Sequence, residues 1–221
     1  MTRMTATSPA TRLVTAAARE VLRPLGLQQR GRSRTWIDDH GWWLGVVEFQ
    51  PGRSDGSYLN VGVMWLWQDR DHLSFDAGGR EPGFERFVNP AQFALDARNL
   101  ARRAAALVRE NRARFVDLPS TTAFLTSQKP RPDHFWDGYH AGVAAGLSGR
   151  TTTARHHLDR VLAEDAFAPW MVRAQESARR LHALAEDPKA FRAWATATTT
   201  SCRRRLELPT GRTAATADYW S

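Results

Sequence analysis

Apolar residues first recur every three or four positions, then every second one, and this switch divides the opening of the chain. Ser8 followed by Pro9 predicts a helix start, a hydroxyl cap with proline at the first helical position. Leu13, Val14, Ala17, Val21 and Leu22 continue it at helical spacing. Pro24 stops that helix and Leu25-Gly26 turns the chain. Arg30, Arg32, Arg34 and Trp36 then alternate with Gly31, Ser33, Thr35 and Ile37, which predicts a strand. Asp38-Asp39-His40-Gly41 has turn chemistry. A second strand is expected over Trp42–Gln50 and a third over Ser57–Trp67, separated by the turn Pro51–Gly56. On the third, Leu59, Val61, Val63, Trp65 and Trp67 share one face, with Tyr58, Asn60, Gly62, Met64 and Leu66 on the other. Short connections make these strands an antiparallel meander.

Residues 68–83 are polar and glycine-rich, and read as a long loop or a hairpin with a short strand at Leu73–Phe75. Asn89-Pro90 opens a long helix to about Asn111, with Phe93, Ala97, Leu100, Ala104, Leu107 and Val108 on its apolar face. Leu118–Thr122 suggests a short capped helix. Gln128–Asp133, with Pro130 and Pro132, is the expected boundary. Beyond it, helices are expected over Phe135–Leu147, Thr151–Ala163, Pro169–Ala185 and from Pro188 to about Arg205. Gly142, Ala145, Ala154, Leu158 and Val161 fall where a tetratricopeptide repeat places its packing residues. The opening Trp-x-x-Leu, the closing proline and a second copy are absent, so this is a repeat-like helical hairpin.

The expected fold is therefore α+β. A small antiparallel sheet packed by the first and the long helix spans 8–127. An all-helical half follows over 133–208, either packed on the sheet domain or continuous with it. Residues 1–7 and 209–221 read as tails.

Composition narrows the classes. The chain has 221 residues, 42% of them hydrophobic, enough for a packed core. Its single cysteine, Cys202, forms no internal disulfide, so the fold needs no oxidising compartment. The N-terminus lacks the apolar stretch of a signal peptide, and no run of about 18 apolar residues occurs. A cytoplasmic protein with no membrane span is expected. The net charge of +8 is carried almost wholly by arginine. It fits an anionic partner, or simply a GC-rich coding sequence.

Catalytic signatures are missing: no Walker loop, no G-x-G-x-x-G after a strand, no H-E-x-x-H, no nucleophile elbow. His134, Asp137 and His140 can share a helix face, but their spacing matches no zinc signature. No metal or cofactor is expected. Cys202 beside Arg203, Arg204 and Arg205 reads as a reactive thiol or as a half-buried helix residue. Arg98, Arg102, Arg109 and Arg112 fall within roughly 80° on a helical wheel, a candidate anion-binding stripe. Arg30, Arg32 and Arg34 would form a second on one strand face. Gln50 and Asn60 sit at facing strand ends, where buried amides either staple a sheet or line a pocket.

Val21-Leu-Arg-Pro-Leu-Gly26, Arg30-Gly-Arg-Ser-Arg-Thr-Trp36, Val47-Glu-Phe-Gln50 and Tyr58-Leu-Asn-Val-Gly-Val63 occur in that order. Over residues 14–67 this order resembles the bacterial family called domain of unknown function 4304. The resemblance implies the strands above and points to Arg32, Trp36, Gln50 and Asn60 as a shared ligand- or partner-binding site; it implies no activity. The functional expectation is a non-enzymatic protein-interaction module with a protein partner. The alternatives are a basic nucleic-acid-binding protein, and a small-ligand binder or enzyme using the sheet face near Gln50 and Asn60.

Overall fold

The computed structural model describes residues 8–129, 135–209 and 220. Residues 1–7, the 130–133 part of the expected connector and nearly all of 210–221 lie outside the described residues. The chain divides into two compact units. One holds the chain up to Met64 together with Leu73–Arg112; the other holds Trp65–His72 and the chain from Ala113 onward.

The first unit opens with α1 (Pro9–Leu22), capped by Ser8, whose hydroxyl accepts from the Thr11 N–H. A single 3-10 turn over Arg23–Leu25 ends at Gly26, where φ is +88°. Six strands follow: β1 (Gln28–Gln29), β2 (Thr35–Asp39), β3 (Trp43–Pro51), β4 (Gly56–Trp65), β5 (Ala77–Arg80) and β6 (Glu85–Arg86). They form one antiparallel sheet in the order β1-β2-β3-β4-β5, with β6 also paired to β4. The long helix α2 (Pro90–Arg114) completes the α+β unit.

Two expected strands move. Residues 30–34 form a turn, not the first half of a strand. Gly31 lies at φ +56°, the Ser33 hydroxyl donates to the Arg30 carbonyl at 2.6 Å, and the Thr35 N–H donates back to Ser33 Oγ. These local side-chain bonds outcompete pleated pairing, although the residues alternate in sequence. Leu73–Phe75 is not a strand either; pairing begins at Ala77, where Gly78 and Gly79 let β5 run against Val61 and Gly62.

One sheet face presents Trp36, Val47, Phe49, Leu59 and Val61 to α1 and α2. Val14, Ala18 and Leu22 meet it from α1, and Phe93, Ala97, Leu100 and Ala104 from α2. Burying each large side chain here is worth about 1.5–3 kcal/mol. The C-terminal end of α2 is fixed by charge. Arg112 donates to Asp38 of β2 through Nε at 2.8 Å and Nη2 at 2.7 Å, and Nη2 also reaches the Leu25 carbonyl at 2.7 Å. His40 adds a contact to Asp38 at 2.8 Å and stacks on Trp43. Burial pushes the Asp38 carboxyl up, but the bonds from Arg112 and His40 outweigh it and hold the group below the usual range.

In the second unit, α3 (Leu118–Ser127) is capped by Asp117 and α7 (Pro188–Arg205) by Asp187. Between them lie α4 (Phe135–Leu147), α5 (Thr151–Ala163) and α6 (Pro169–Leu184). Helix α4 is central and packs on α3, α5, α6 and α7. Its glycines permit this. A Cβ on Gly142 would lie 2.8 Å from Leu158 Cγ, and one on Gly146 would lie 2.2 Å from the Phe191 ring. The repeat-like rhythm is thus the contact surface of the α4–α5 hairpin. The boundary differs from the expected one: α3 and residues 65–72 group with the helices, and the division falls after Arg112. Among the described residues no helix is long and apolar enough to cross a membrane.

Because the folded Asp38 titrates below its unfolded value, its stabilisation is complete above the ordinary carboxylate range and is lost as pH falls through the lowered value. Asp38→Asn should therefore lose about 1–3 kcal/mol at neutral pH and show a flatter decline in urea midpoint between about pH 5 and pH 3. Equal acid slopes in the two proteins would show that the Arg112 brace carries no such linkage.

Candidate functional site

The four residues singled out by the family resemblance do not form one site. Arg32 is exposed in the turn before β2, and Trp36 is 1% exposed within the core under α1 and α2. Gln50 and Asn60 do meet, on the opposite sheet face. Asn60 Nδ2 donates to Glu48 Oε2 at 2.8 Å and to Gln50 Oε1 at 3.0 Å. From β5, Arg80 donates to Gln50 Oε1 at 2.5 Å and to Asn60 Oδ1 at 3.4 Å, and its guanidinium lies 4.4 Å from the Tyr58 ring centre. The side chains satisfy one another across β3, β4 and β5, which makes the row a staple.

The arginine stripe is also smaller than expected. Arg98, Arg102 and Arg109 are exposed on α2, whereas Arg112 is engaged with Asp38. His134 lies outside the described residues. His140 is buried, and its Nδ1 accepts from Trp67 Nε1 at 3.0 Å. Among the described residues no three His, Cys, Asp or Glu gather as metal ligands. Cys202 is fully buried with its thiol 3.6 Å from the Arg70 carbonyl, so it is a packing residue.

The helical unit contains a half-open cavity of about 820 Å³ that the sequence reading missed. Helix α6 contributes Trp170, Arg173, Ala174 and Ser177, which helical spacing places on one face. Trp136 and Tyr139 come from successive turns of α4, and Trp194, Thr198 and Arg205 from α7. Residues 68–72 complete the wall.

The cavity is aromatic and arginine-rimmed. Trp136 and Trp170 stack at 5.4 Å with 25° between planes, and the Arg70 guanidinium lies 5.0 Å from the Trp136 ring centre. Arg70 also donates to the Gln68 side-chain oxygen. Tyr139 OH and Ser177 Oγ are 2.8 Å apart. Burial pushes the Tyr139 phenol up to about 12, so it stays protonated at neutral pH. Asp69 pairs with Arg205 at 3.1 Å and Asp71 with His72 at 3.0 Å. Arg173 is exposed and forms no ion pair with a described residue. Three tryptophans, one on each of three otherwise alanine-rich helices, were the only sequence signal for this arrangement.

No family model, curated protein or solved structure matches this chain.

Asn60→Asp sets a carboxylate beside Glu48 in the polar row. It should cost about 1–3 kcal/mol in urea unfolding at neutral pH, with the loss shrinking as pH falls toward about 4 and the added carboxyl protonates. A pH-independent loss, or none, would show that the row does not hold the strands.

Proposed function

We propose that this chain is a non-enzymatic interaction module that grips its partner at the aromatic cavity of the helical unit. The cavity itself carries the reading. It is concave, of ligand-accepting size, and lined by the residue types that dominate binding energy, Trp, Tyr and Arg. Of its titratable groups, the Tyr139 phenol is displaced away from neutrality, Asp69 is paired with Arg205, and Asp71 is hydrogen-bonded to His72. The proposed kinship of residues 14–67 with domain of unknown function 4304 rests on the order of the sequence motifs at 21–26, 30–36, 47–50 and 58–63. Residence in the cytoplasm belongs to the same reading and is supported by the single buried cysteine.

A second reading is favoured by α2. Arg98, Arg102 and Arg109 fall within about 40° of one another on the helix and all are exposed, a stripe suited to a nucleic-acid backbone.

Ala174 is 6% exposed at the cavity wall, so Ala174→Phe fills the cavity, while Arg173→Glu reverses its free charge without touching the core. A stoichiometric partner captured from native lysate by the unaltered protein should be lost with both variants, at unchanged helical circular dichroism. Equal capture by all three overturns the reading. For the second, paired Arg98→Glu and Arg102→Glu should abolish binding of a duplex oligonucleotide whose affinity falls steeply with salt. Salt-independent binding, or binding unaffected by the pair, contradicts it.

A further inference from the structure

We propose that the cavity of the helical unit binds a nucleotide, with the base laid against Trp170 and the phosphate held by Arg173. The inference rests on the cavity reading above and names the chemical class it takes. Trp170 and Arg173 stand one turn apart on α6 and face the same space, so a flat ring and an anion are received side by side. Trp170 is 37% exposed although it stacks on Trp136, which in turn carries the Arg70 guanidinium. Arg70 and Trp170 both lie against Trp136, and the exposed part of Trp170 is a stacking surface of the kind that accepts any base through its π-face.

Charge decides between ligand classes. Aromatic walls also suit a cation, but Arg70 already lies over Trp136, and Arg173 would repel a second positive charge. A neutral ring would leave the Arg173 fork unanswered. Of the two carboxylates at the rim, Asp69 is offset by Arg205, and Asp71, bonded to His72, is exposed to water that screens it. What remains is a positive, hydrogen-bonding group suited to bidentate phosphate contact. The cavity volume falls within the range of small-molecule sites. A free mononucleotide and one residue of a single strand carry the same base and phosphate.

Isothermal titration of the full chain with AMP, GMP, CMP and UMP, with the matching nucleosides, with inorganic phosphate and with a short single-stranded oligonucleotide tests this. At least one mononucleotide should bind at least tenfold more tightly than its nucleoside or phosphate alone. Arg173→Gln should lower its affinity to that of the nucleoside, and Trp170→Ala should weaken nucleotide and nucleoside alike. An oligonucleotide bound more tightly than the mononucleotide and equally sensitive to Arg173→Gln identifies a strand as the source; a weaker one identifies the free nucleotide. Absence of binding by all four mononucleotides, or binding indifferent to both substitutions, overturns the inference. If the mononucleotides fail while Ala174→Phe still abolishes partner capture, the nucleotide assignment falls and the cavity reading stands. If capture is also unaffected, both fall.

Discussion

Helix α4 occupies the middle of the helical unit because it carries almost no side-chain bulk where its neighbours cross it. Gly142 accepts Leu158 of α5, and Gly146 accepts the Phe191 ring of α7, at separations no Cβ would tolerate. Small residues let helix axes approach closely, and the chain loses some intrinsic helix propensity for that contact. The consequence reaches the cavity. With α5 and α7 drawn against the glycine side, the bulky first turns of α4 bring Trp136 and Tyr139 against α6, where Trp170 and Ser177 meet them. The cavity walls are therefore a by-product of how α4 is packed.

The sheet unit is organised by a different contact. Its two helices lie on one face of the sheet, and the apolar contact there is unspecific in direction. Arg112 adds direction. Its planar fork meets Asp38 with two bonds and uses a third on the Leu25 carbonyl, so the end of α2 is joined at once to β2 and to the turn after α1. On the other face the row from Glu48 to Arg80 aligns strands by complementary hydrogen bonding.

Much of this fold was legible because it depends on neighbours in sequence. Ser8-Pro9 and Asn89-Pro90 announce helix starts, and the apolar runs of β3 and β4 mark strands buried along almost their whole length. Where the local signal was ambiguous it misled. The arginine alternation from Arg30 has strand period, yet Gly31 and Ser33 turn the chain there through hydrogen bonds that a periodicity count does not see. The cavity was illegible for a more general reason. Its walls come from four separated segments, residues 68–72, 136–139, 170–177 and 194–205, and no spacing rule connects them. In sequence, Asp137 and His140 on α4 suggest metal ligands. The informative residue there was Trp136, whose meaning depends on Arg70 and Trp170.

A basic composition is a weak guide to binding because an arginine advertises the same charge wherever it lies. In this chain its partners sort it. Arg112 is neutralised by Asp38, Arg80 is hydrogen-bonded to Gln50 and Asn60 over the Tyr58 ring, and Arg205 faces Asp69. These guanidiniums are engaged with groups of the fold itself. Arg173 differs from Arg112 and Arg205 in that the surface beside it is aromatic instead of acidic. An unmatched guanidinium in open water attracts any anion weakly, and salt screens it within about 10 Å. One set beside an aromatic surface offers an anion a second, stacking contact. Under the nucleotide proposal, anion recognition depends less on the net charge of +8 than on Arg173, set without a carboxylate beside an aromatic surface.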